Sequence, residues 1–76
     1  MNSKRRSALK GAIRHLTLAE IIISNASEQE TDCIDNIPEN MSDSERVERM
    51  EEIADLLCDA EELVSDAIDK IEDAIG

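Results

Sequence analysis

The chain has no phenylalanine, tyrosine or tryptophan, and only two glycines and one proline. Without aromatic side chains its core must be aliphatic, built from Ile, Leu, Val, Ala and a little Met, which suits helix packed on helix. So little turn material excludes a fold of many short strands. The two cysteines, Cys33 and Cys58, fit neither a CxxC motif nor a metal-ligand spacing. With Cys33 in a connecting segment and Cys58 about 16 residues into a second helix, they stand on the order of 24 Å apart, too far for a disulfide. Both are expected as reduced thiols, Cys58 partly packed. No apolar run approaches the length of a membrane span. Residues 8–23 are interrupted by Lys10, Arg14, His15 and Glu20, so the basic opening makes a poor signal peptide. These absences lead to the expectation of a cytoplasmic protein with no membrane partner.

What is present is acid. The 76 residues, enough for one small domain, carry a formal net charge of -11. The charge is divided unevenly. Residues 1–15 hold five basic side chains and no acid; the rest holds three basic and nineteen acidic ones. Most of such a surface repels nucleic acid and anionic membrane, so direct nucleic-acid binding is not expected. Basic protein partners are favoured.

Hydrophobic periodicity predicts two helices. In the first, over 3–31, Leu9, Ala12, Ile13, Leu16, Ala19, Ile23 and Ala26 form one stripe, and Asn2 or Ser3 is placed to cap it. Residues 32–42 read as the connection, with Pro38 ending helical structure before it and a short turn of helix plausible at 38–41. Apolar Ile34, Ile37 and Met41 suggest that this connection folds back over the bundle end. Ser42 and Glu45 form a capping box for a second helix over 43–75. There Val47, Met50, Ala54, Leu57, Val64, Ile68, Ile71 and Ile75 make a near-continuous heptad seam. Glu61 falls on that seam, as a snorkelling carboxylate or a register-setting contact with His15 or Arg14. Two helices joined by a short connection pack as an antiparallel hairpin, which sets the basic start of the first beside the acidic end of the second.

Two faces stand out as candidate interaction surfaces. Glu48, Glu51, Glu52, Asp55, Asp59, Glu62, Asp66, Asp69 and Asp73 share one side of the second helix, with only Lys70 at their margin. Leu18, Ile21 and Ile22 on the first helix, and Ile53, Leu56 and Leu63 on the second, lie off the seam and widen the apolar arc beyond what one hairpin buries. The simplest remedy is a homodimer of hairpins, a four-helix bundle. The expected fold is therefore all-α, a helical hairpin in one domain that dimerises.

No chemistry of catalysis is expected. The lone His15 with Glu20 and Glu61 lacks the Glu-x-x-His pairs of a carboxylate-bridged metal site. Asp32, Asp35 and Asn36 lack the glycine and closing Glu of a calcium loop. No Gly-rich loop accompanies the Ser and Cys residues as an oxyanion site. No metal, cofactor or enzymatic activity is expected.

The stretch Ile34-Asp35-Asn36-Ile37-Pro38-Glu39-Asn40-Met41, then Ser44-Glu45-Arg46 and an acidic helix, together with the opening Lys4-Arg5-Arg6, resembles short proteins of phages and mobile elements in Gram-positive gut bacteria. The distinctive segments are 35–39 and 44–46; the Ile21-Ile22-Ile23 run departs from the pattern. The resemblance transfers no site residues. It implies a setting of phage–host conflict or element maintenance, and hence an inhibitor that occupies a basic surface of a nucleic-acid-handling defence protein by charge mimicry. The alternative is a structural module that assembles through its apolar face.

Overall fold

The computed structural model describes residues 1–38 and 45–76. They form two α-helices, α1 (Ser3–Asp35) and α2 (Glu45–Ile75), packed against each other as an all-α helical hairpin. No strand occurs among the described residues, and Ile21, Ile22 and Ile23 are helical.

Helix α1 starts where an extended Asn2 turns its side chain onto the first orphan donors. Asn2 Oδ1 accepts from the Arg5 N–H at 2.8 Å, and the Asn2 carbonyl accepts from the Arg6 N–H at 3.1 Å. The helix passes the expected end at residue 31 and stops at Asp35, so Cys33 lies in its last turn rather than in the connection. The reason is burial. Ile34 and Ile37 continue the apolar spacing and are half-buried. The Asn36 N–H still reaches the Asp32 carbonyl and the Ile37 N–H the Ile34 carbonyl, both at 3.1 Å. Pro38 then disfavours further helix. The capping box of Ser42 and Glu45, the helical turn at 38–41, the packing of Met41 and the start of the second helix at 43 lie outside the described residues.

Burial defines the seam in heptads abcdefg, with a and d between the helices. On α2 the a and d positions are Val47, Met50, Ala54, Leu57, Glu61, Val64, Ile68, Ile71 and Ile75, all buried or half-buried. On α1 they are Leu9, Ile13, Leu16, Glu20, Ile23, Ser27, Glu30 and Ile34, and Ile37 continues the series just past its end. This corrects the α1 stripe read from the sequence. Ala12, Ala19 and Ala26 lie one residue to the side, at g, and polar Glu20, Ser27 and Glu30 take seam positions. Ser27 lies against Cys58. Counting outward residue for residue from that contact brings Ile23 within one residue of level with Glu61, Leu16 with Ile68 and Leu9 with Ile75.

The core is thin. Val47 (5% exposed) and Ala54 (9%) are the buried apolar residues among those described. The molecule is a rod of 60 × 14 × 14 Å with a radius of gyration of 17.4 Å; a compact domain of this length has about 11 Å.

Candidate interaction surfaces

In an antiparallel helix pair, g positions of both helices lie on one flank of the seam and e positions on the other, with b, c and f outside them. The heptad frame of α2 therefore sorts its charges. Positions f and b are acidic throughout: Glu45, Glu52, Asp59, Asp66 and Asp73 at f, and Glu48, Asp55, Glu62 and Asp69 at b. All nine residues of the acidic face are exposed, eight of them at b or f and Glu51 at e. Among the described residues the ion pair is Arg49–Glu52, 2.7 Å and exposed on both sides, which contributes at most about 1 kcal/mol.

The basic start of α1 stands at the same end of the hairpin as Asp69, Glu72 and Asp73. Even so, among the described residues no ion pair within 4.0 Å joins Lys4, Arg5, Arg6, Lys10 or Arg14 to α2. The basic start and the acidic end therefore share one end of the hairpin without direct ion pairs. The placement of these bases also opposes the α1 dipole. The first turn of α1 has no acid and its last turn no base, whereas α2 opens favourably with Glu45 and Glu48.

The apolar residues off the seam gather on the g flank. Ile22, Leu56 and Leu63, at c, are exposed, Leu63 most of all at 69%; Leu18 is exposed as well, but at f it faces away from the seam rather than onto this flank. Ile53 is half-buried, because its g position tucks it toward α1. Ile21 is exposed too, but at b it turns to the side shared with Arg14. Between the large side chains run half-buried Ala12, Ala19 and Ala26 of α1 and Ala60 and Ala67 of α2, all at g. The sequence already points to both sets, the large residues and the alanines that repeat every seven residues on each helix; the structure puts the alanines on one common flank.

Two of the open depressions among the described residues bear on the cysteines and Glu61. One, about 290 Å³, is lined by Glu20, Cys58, Glu61, Glu62 and Ser65. Neither His15 nor Arg14 makes a hydrogen bond or ion pair with Glu61 there, so the sequence-suggested contact does not form. The other, about 380 Å³, sits by the connection between Cys33, Ile37, Pro38, Val47 and Met50, with Arg46 at its edge. Cys33 and Cys58 are free and exposed; Cys58 was expected to be partly packed. Among the described residues no group of three His, Cys, Asp or Glu side chains is arranged to hold a metal ion, and no helix is long and apolar enough to cross a membrane. No protein-family model matches this chain, and no curated protein or solved structure shows significant similarity to it.

Proposed function

We propose that this chain is a small protein-interaction module that presents the acidic face of α2 to a basic protein surface. One observation supports the reading above others: every b and f position of α2 from Glu45 to Asp73 is a carboxylate, exposed along the outer side of the helix. Solubility alone needs no such regularity. The nine named acids span roughly 40 Å at 1.5 Å per residue. That is a sparser array than duplex DNA, with about one charge per 1.7 Å, yet it has the same rod-like form.

The concrete version follows the resemblance to phage and mobile-element proteins. The chain occupies the nucleic-acid channel of a host defence protein and blocks it by charge. The experiment is capture of basic host proteins on the immobilised chain, with elution by salt and by competing duplex DNA. Charge mimicry predicts steep loss of binding as salt rises and displacement by DNA. Capture that is insensitive to both refutes it. A second reading, assembly through the apolar flank, is favoured by the exposure of Ile22, Leu56 and Leu63; it predicts salt-insensitive contacts.

A further inference from the structure

We infer that the apolar g flank is covered by a second copy of this chain, the two hairpins packing face to face and antiparallel about a two-fold axis that crosses each near its middle. This does not rest on the acidic face having a partner. Four observations carry it.

The first is charge. The chain has nineteen acidic residues, and none occupies a c or g position of either helix. The ionic residues there are Arg5, Arg46, Arg49 and Lys70. The flank is thus the surface on which two chains of charge -11 approach without opposing carboxylates to carboxylates, their b and f acids facing outward.

The second is position. Helix α1 spans Ser3–Asp35 and α2 Glu45–Ile75. Ala19 and Ile22 lie at or within one turn of the midpoint of α1, and Leu56 and Leu63 straddle that of α2. A patch centred on both helices can be turned over onto itself with the rods overlapping along nearly their whole length. A patch at one end cannot.

The third is area. A compact monomer of 8.4 kDa exposes about 4,600 Å², whereas this chain exposes 5897 Å². The excess, about 1,300 Å², exceeds the roughly 800 Å² that each partner gives to a standard interface. The alanines at g on both helices let a second pair of helices come close.

The fourth selects the orientation. Residues 1–18 and 61–76, the half that holds both chain ends, carry six basic and six acidic side chains; residues 19–60, the connection half, carry two basic and thirteen acidic. Hairpins running the same way place two strongly acidic halves together. Hairpins running oppositely place each acidic half beside a neutral one that carries Lys4, Arg5, Arg6 and Lys10.

The experiment measures solution mass and one distance. Sedimentation equilibrium is expected to give twice the 8.4 kDa chain mass. Leu56→Glu with Leu63→Glu returns it to the monomer while circular dichroism keeps the helix signal, since both side chains are exposed in the single hairpin. Ile22→Glu does the same, and Ile21→Glu leaves the dimer intact. In a Cys33→Ser, Cys58→Ser background, a spin label at Asp32→Cys is expected roughly 30 Å or more from its partner label; a parallel dimer brings the two within roughly 20 Å. A monomeric wild type, a dimer indifferent to the Leu56 and Leu63 changes, or the short distance overturns the proposal. A monomer that instead binds a different protein through Leu56 and Leu63 overturns it as well.

Discussion

The Ser27 hydroxyl lies 3.3 Å from the Cys58 thiol, across the seam between the two helices, and either atom can donate. Ser27 is the buried polar residue among those described, and its carbonyl also accepts from the Thr31 hydroxyl at 3.0 Å. A small side chain at a seam position lets the helices approach here, one turn from buried Ala54. Enlarging that site is therefore expected to push the helices apart. Ala54→Leu should cost about 1–3 kcal/mol, the usual penalty for overpacking. Ser27→Ala, which loses only a weak hydrogen bond, should cost no more than about 1 kcal/mol. Urea unfolding followed by circular dichroism measures both. Equal effects of the two changes would show that close approach is not what the site provides.

Gly11 stands in the interior of α1, and a Cβ built there meets only the Arg14 guanidinium, at 3.6 Å, ordinary contact with the far end of a flexible chain. Helical glycine costs about 1 kcal/mol relative to alanine. Gly11→Ala should therefore raise the thermal midpoint by about 4–8 °C in a domain of this size. No rise in a thermal melt would mean that the backbone at residue 11 departs from helix in solution.

Glu61 takes an a position of α2 and is half-buried, without a hydrogen bond or ion pair to repay its lost hydration. Replacing it by leucine supplies the apolar side chain that the seam otherwise has. Glu61→Leu should stabilise the hairpin by about 1 kcal/mol, roughly half the gain from fully burying a leucine. Asp59→Leu, on the exposed face, should leave unfolding nearly unchanged. Destabilisation by Glu61→Leu would show that the carboxylate sets the register.

Much of the hairpin is legible in the residues. The α2 seam reads directly, because Val47, Met50, Leu57, Val64, Ile68, Ile71 and Ile75 repeat at heptad spacing among acids, and acid positions are the outside by default. Asn2 as the cap of α1 is likewise local chemistry. The seam of α1 was less legible. Its a and d positions include Glu20, Ser27 and Glu30, so apolar spacing alone shifts the stripe toward Ala12, Ala19 and Ala26. Burial of Ser27 beside Cys58 depends on where the other helix lies. The end of α1 departs from the sequence reading for the same reason: the helix continues through Ile34 to Asp35 because α2 is there to cover Ile34, with Ile37 half-buried just beyond.

The sequence by itself determined that the core is aliphatic, that two helices form, and that carboxylates line the outer side of α2, since composition and periodicity act within each helix. Only the tertiary structure decided which flank of α1 adjoins α2. Rotation of a helix about its own axis is set by the neighbour against which it packs, and that rotation brings Ala19 and Ile22 to the same side of the hairpin as Leu56 and Leu63.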